Sequence, residues 1–209
     1  MAYRIIGLNG KKDSGKDTAG AYLVERCGYT RVSFAVPLKV SAAASLGLPP
    51  DPETFEEWKN DPCARVQLLI YAGDEHSEDD AEVVVDISVR EYLQFYGTEG
   101  HRDVFGADFW TRQLIEALDA NENYVITDSR FVNECSAVRD AGGTIIEIVR
   151  DSSDTADAHA SEDSLPKELV DTVLYNNGSI EDLYKTLDAY MLVAGALRSG
   201  GIEALDLDR

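Results

Sequence analysis

The spacing Gly10-x-x-x-x-Gly15-Lys16 constrains this chain more than any other feature, because it falls between an apolar run and a helix-compatible stretch. Tyr3 to Leu8, with two isoleucines, reads as a strand, and Gly15 to Arg26 has helical character, with Gly28 standing where such a helix stops. Glycines let the backbone between them turn so that successive N–H groups face one concavity, and the following helix adds its positive end. A string of phosphates is the ligand chemistry that fits, with Lys16 reaching the outer ones. The residue after Lys16 is Asp17, not the usual Ser or Thr, and Thr18 comes one place later. The hydroxyl that would ligate Mg²⁺ is thus displaced, and Asp17 either helps to complete a metal shell or turns away from it. No N-K-x-D guanine signature occurs anywhere in the chain.

The same alternation continues downstream. Tyr29 to Phe34 reads as a strand, and Pro37 opens a helix carrying Lys39 and the alanine-rich run to Leu46. Pro49, Pro50 and Pro52 break the chain before a helix from Glu53 to Asn60. Asp74 to Asp86 holds seven carboxylates around His76 and reads as a solvated loop or insertion, without the ordered spacing of a calcium site. Ser88 and Glu91 have the form of a capping box, starting a helix that runs towards Tyr96 and ends at Gly97. Ala107 to Leu118 reads as a helix, Tyr124 to Thr127 as a buried strand, Phe131 to Ala141 as a helix closed by Gly142 and Gly143, and Thr144 to Val149 as a strand. A polar stretch to Asp163 suits a mobile loop, and Asp171 to Tyr175 with Ser179 to Val193 supplies a last strand and helix. Strands alternating with helices predict a three-layer α/β domain with a parallel sheet, whose ligands bind beyond the carboxyl ends of the strands.

Charge narrows the partners. With 39 acidic against 19 basic residues the net charge is -20, which argues against a polymeric nucleic acid or an anionic membrane as partner. No apolar run is long enough to span a bilayer, and the first residues lack a signal-peptide layout, so a soluble cytoplasmic protein is expected. Cys27, Cys63 and Cys135, with His76, His101 and His159, show neither a disulfide framework nor zinc spacing.

Several blocks, in order, resemble the deoxynucleoside monophosphate kinases of tailed bacteriophages. They are the loop from Gly10 to Thr18 in its G-K-D-T form, then Ser33 to Ala35 with Pro37 to Lys39. Next come Arg90 through Gln94, Gly97, Thr98 and Arg102 to Trp110, and Asp128 to Glu134. His159 to Glu162 and Asn176 to Leu183 complete the match, whereas the acidic stretch before Ser88 is poorly matched. The resemblance implies one P-loop kinase domain over residues 1–209, with a helical acceptor-binding insertion at about 50–120 and a lid-like loop at about 150–164. It also implies ATP and Mg²⁺ as cosubstrates, phosphoryl transfer to a deoxynucleoside monophosphate, and often a homodimer.

Such transfer needs the donor phosphoryl and acceptor oxygen in line and the spreading charge stabilised. On that basis Gly10, Lys11, Asp13, Ser14, Gly15, Lys16, Asp17 and Thr18 are expected to hold the nucleotide, with Asp17 and Asp128 at the metal. Lys16, Asp128 and Arg130 are the expected catalytic residues. Lys12 and Lys39 would meet the approaching acceptor phosphate, and Arg90, Arg102 and Arg130 would clamp it. Gly97 and Thr98 belong to the acceptor block, Trp110 is expected either to stack on the acceptor base or to pack in the core, and Glu134 to reach the sugar or base. Arg150 and His159 would belong to a lid over ATP. Two other readings share the loop: a kinase of a non-nucleotide phosphate, and a nucleotide-binding protein without catalysis.

Overall fold

A computed structural model of the chain describes residues 5–72, 81–151 and 165–198. It divides into two compact units, Met1–Ser33 with Leu118–Arg209, and Phe34–Ala117.

The first unit holds strands β1 (Ile5–Asn9) and β2 (Thr30–Val32), with helix α1 (Lys16–Cys27) between them. The second holds α2 (Ala35–Ser45), α3 (Pro52–Asn60), β3 (Arg65–Ala72), β4 (Ala81–Ser88), α4 (Val89–Gly97), a π-helical turn (Thr98–Arg102), the short α5 (Asp103–Phe105) and α6 (Phe109–Glu116). The chain then returns to the first unit with β5 (Tyr124–Ile126), α7 (Val132–Asp140), β6 (Thr144–Val149), β7 (Thr172–Tyr175) and α8 (Ile180–Arg198).

Every pairing in the five-stranded sheet is parallel, in the order β2-β5-β1-β6-β7. Its central strands β1 and β5 are short, apolar and buried because both faces are covered, whereas the edge strands β2 and β7 are partly exposed. Ile6, Leu8, Val125, Ile146 and Ile148 pack with Ala19, Tyr22 and Leu23 of α1 and with Leu183 and Leu187 of α8. Ile5 and Ile145, a strand position away, are equally buried, and α7 packs against β1 and β6 with Cys135 and Val138 fully buried. Helix, sheet and helix form the three layers expected from the alternation. Gly7 leaves no room for a side chain: a Cβ there would stand 2.6 Å from Cδ1 of Ile145 on the neighbouring β6 and 2.9 Å from Ser129 Oγ. Strand β1 lies between β5 and β6, so the chain leaves it towards one side of the sheet and returns past it to the other. Ligands of open α/β sheets bind at such a reversal, beyond the strands' carboxyl ends, and the glycine loop follows β1 directly.

The second unit has its own core, formed by Ala42 and Ala43 of α2, Phe55 of α3, Val66 of β3, and Val89, Tyr92 and Leu93 of α4. The structure corrects the sequence reading at one place in this unit. The acidic stretch to Asp86 is not all loop, because Ala81–Ser88 pairs antiparallel with Arg65–Ala72, Val66 opposite Ile87 and Leu68 opposite Val85. Val66 is buried and Leu68, Val85 and Ile87 half-buried, while Val84 and Asp86 point outward, so Asp86 occupies the solvent side of a strand. Residues 73–80, with His76, lie outside the described residues. The α-helix ends at Gly97, as the spacing predicts, and the chain continues directly into the π turn Thr98–Arg102. Gly97 is glycine for space: a Cβ would lie 3.1 Å from a Leu38 methyl, and its carbonyl accepts from Trp110 Nε1 at 3.0 Å. At the other end of α4 the capping box is complete, Ser88 accepting from the Glu91 amide and Glu91 accepting from the Ser88 amide.

Candidate active site

The loop between β1 and α1 is held by its own backbone. Gly10 has φ +140°, Asp13 φ +61° and Gly15 φ +103°, values in the region that L side chains rarely enter. Space excludes side chains as firmly as torsion does. A Cβ on Gly10 would stand 2.3 Å from the Ile148 carbonyl oxygen, and one on Gly15 would stand 2.4 Å from Asn176 Nδ2. Asn176, 6% exposed at the end of β7, donates from Nδ2 to the Ser14 carbonyl at 2.8 Å, and its own amide donates to the Val149 carbonyl at 2.7 Å. Asn176 is therefore the floor of the loop. It stood in a matched block, but sequence spacing alone did not join it to residues so distant in the chain.

Ser14 is 3% exposed, and its hydroxyl has no hydrogen-bond partner among the described residues. Lys16, also buried, folds back so that Nζ donates to the carbonyls of Gly10 at 2.5 Å and Lys11 at 2.6 Å. A buried hydroxyl and an ammonium thus stand in the loop that leads into the first turn of α1, donor groups suited to the oxygens of a phosphate chain. Lys11, Lys12 and Asp13 are exposed on the loop, and Thr18 is half-buried in the first turn of α1. The Asp17 carboxylate accepts from Arg31 Nη2 at 2.5 Å.

The segment after β5 is equally well fixed. Asp128 accepts the Ser33 hydroxyl at 2.6 Å on Oδ2, and the Ser129 carbonyl accepts from Asn9 Nδ2 at 2.8 Å. Arg130 has an exposed side chain but an anchored backbone: its amide donates to Glu134 Oε2 at 2.8 Å, and the Phe131 amide donates to the same oxygen at 3.1 Å. Glu134 is thereby placed differently from the expectation that it reaches a sugar or base. Its carboxylate, 8% exposed, ties the turn that carries Arg130 to the start of α7. A glutamate at the third position of a helix is the sequence sign of this role.

In the second unit, Trp110 proves to be core. It is 4% exposed, hydrogen-bonded to Gly97, and in contact with the rings of Tyr96, His101 and Phe109, so neither face is open to a base. His101, in the π turn, is joined through Nδ1 to the Tyr96 carbonyl at 2.7 Å. Thr98 is half-buried and Arg102 exposed on the same turn. Arg90 donates to Asn60 Oδ1 at 2.8 Å, and Lys39 pairs with Glu56 at 2.5 Å. Burial alone would raise the Glu56 carboxyl, but the ammonium groups of Lys39 and Lys59 outweigh it and lower it to about 2. Arg150 is exposed past β6, and His159 lies outside the described residues.

A parallel sheet that reverses at β1, with a glycine loop and a buried lysine beyond it, defines the P-loop kinase class of α/β proteins. The comparisons with known proteins specify it further. A family profile described as deoxynucleotide monophosphate kinase matches residues 65–187. A putative deoxynucleotide monophosphate kinase of Acanthamoeba polyphaga mimivirus is 34% identical over 194 residues, covering 88% of this chain and 93% of that protein. The deoxynucleotide monophosphate kinase of Enterobacteria phage T4 is 22% identical over 88% of this chain and 97% of its own length. That of Escherichia phage RB69 is 32% identical over 48% of this chain and 43% of its own length. The chain belongs to the deoxynucleotide monophosphate kinase family.

Proposed function

We propose that the chain transfers the terminal phosphoryl group of ATP to the phosphate of a deoxynucleoside monophosphate, releasing ADP and a deoxynucleoside diphosphate. The observation that carries this is the loop between β1 and α1: two glycines that admit no Cβ, a buried hydroxyl with no partner among the described residues and a buried lysine together suit a phosphate chain. Family membership supplies the acceptor class, and it disfavours both a non-nucleotide substrate and a purely binding role.

Donor phosphates replace the Gly10 and Lys11 carbonyls as partners of Lys16, so that its ammonium meets the charge growing on the transferring oxygens. The Ser14 hydroxyl and the loop amides hold the chain of phosphates still. Mg²⁺ takes few protein ligands besides phosphate oxygens and water, and the Asp128 carboxylate and the Thr18 hydroxyl are the donors that fit it here. When bound it neutralises phosphate charge. Arg130 is assigned to the acceptor phosphate, since a guanidinium fork matches phosphate oxygens and Glu134 fixes the backbone behind it. Lys12 adds charge at the rim. Thr98, Arg90 and Arg102 are assigned to the acceptor on the family match, and Arg150 to the cover over ATP.

The test is Lys16→Ala in the full chain. Phosphoryl transfer is expected to vanish while the circular dichroism spectrum and melting temperature stay close to those of the parent. Near-normal turnover in a folded variant would remove the loop from the mechanism.

A further inference from the structure

A second cation stands at the donor loop, outside the residues assigned above. Arg31 is the middle residue of β2, carried alongside β5 by the parallel pairing of Arg31 with Val125 and Val32 with Ile126. Its side chain returns to the first turn of α1, where Nη2 donates to Asp17 Oδ1 at 2.5 Å while Nε donates to Thr127 Oγ1 at 3.2 Å. Thr127 is 8% exposed, so that second bond fixes the plane of the guanidinium against a buried group. The Asp17 side chain is 83% exposed and takes its direction from Arg31.

Asp17 follows Lys16 in the first turn of α1, where the helix dipole favours negative charge and where the phosphates are read to lie. A carboxylate there competes with them for the same donors and repels them. We propose that Arg31 is a positioning residue for donor binding: it draws the Asp17 carboxylate away from the loop and cancels its charge, so that a loop with aspartate after the lysine still accepts a polyphosphate. Arg31 acts through Asp17 and does not touch the phosphates. This inference rests on the donor-site reading of the loop given above.

Calorimetric titration of the full chain with ATP, with and without Mg²⁺, tests it in Arg31→Ala, Arg31→Lys, the double variant Arg31→Ala/Asp17→Asn, and Lys16→Ala. Arg31→Ala is expected to weaken ATP binding about tenfold, with the loss shrinking as salt rises because the repulsion it unmasks is between exposed charges. Arg31→Lys should keep most of the affinity. Adding Asp17→Asn to Arg31→Ala should recover most of the loss, which a merely structural arginine would not allow. An exposed pair adds little to folding stability, so melting temperatures should scarcely move. A double variant as weak as Arg31→Ala would overturn the proposal, since Arg31 would then be meeting phosphate itself. Wild-type affinity in Arg31→Ala would overturn it too, and the Lys16→Ala titration tells the two levels apart. Loss of ATP binding in Lys16→Ala alone leaves the donor site standing and removes only Arg31, whereas wild-type binding in both variants removes the donor site as well.

Discussion

Asn176→Ala isolates the support beneath the loop from the loop itself. The side chain is 6% exposed and makes one hydrogen bond to the Ser14 carbonyl at 2.8 Å, across 162 positions of sequence. Truncation leaves that carbonyl without its donor in a buried place, a cost of about 1–3 kcal/mol. For a chain of this size about 2 kcal/mol corresponds to a fall of roughly 4–8 °C in melting temperature. The loss should extend to function, because the Asn176 amide presses on Gly15 and sets the turn that aims the amides of the loop. Thermal unfolding and ATP titration on the same sample read both effects. Asn176→Asp should be worse than alanine, since it sets a carboxylate against a carbonyl oxygen. An alanine variant with parental melting temperature and ATP affinity would refute the idea that this bond holds the loop.

Other residues give sharper contrasts. Glu134→Ala should lower turnover uniformly across acceptors and destabilise the chain by about 1–2 kcal/mol, since it frees the amides of Arg130 and Phe131; a reordered base preference in steady-state assays would return Glu134 to substrate contact. Trp110→Ala should cost about 3–5 kcal/mol in denaturant unfolding, as for other buried aromatic truncations, while Trp110→Phe should leave the order of base preference unchanged. The Glu56 carboxyl lies at about 2 when folded against 4.5 ordinarily, so its pairing with Lys39 and Lys59 stabilises the fold above about pH 4.5 and is lost as pH falls towards 2. Acid unfolding of Glu56→Gln should accordingly lack that part of the pH dependence, and an unchanged acid limb would show the pair to be idle.

What the sequence disclosed was what local chemistry enforces. Gly10 and Gly15 report backbone torsions, Gly28 with φ +69° closes α1, and Ser88 with Glu91 caps the start of α4, so all were legible as spacing. The β3–β4 pair was hidden because it lies at the end of an acidic run, with Asp86 on its solvent side, although Val66, Val85 and Ile87 alternate inward. Gly97 was legible as the end of α4, but the reason for glycine there is space beside Leu38 and not a left-handed torsion, which spacing alone does not tell apart. Asn176 and Arg31 depend on parallel neighbours far apart in the chain, and pairing of that kind is fixed by the sheet and not by any local pattern. Glu134 carried a readable sign of helix capping, but its place one turn after Arg130 drew it towards the substrate.

The central claim is tested most directly by acceptor-dependent ADP release from ATP and Mg²⁺, measured in a coupled assay for each deoxynucleoside monophosphate beside ribonucleoside monophosphates and sugar phosphates. The account predicts release that requires both the folded chain and a deoxynucleoside monophosphate, matched by formation of the corresponding diphosphate and absent in Lys16→Ala. Release independent of acceptor, or driven only by a non-nucleotide phosphate, would contradict it.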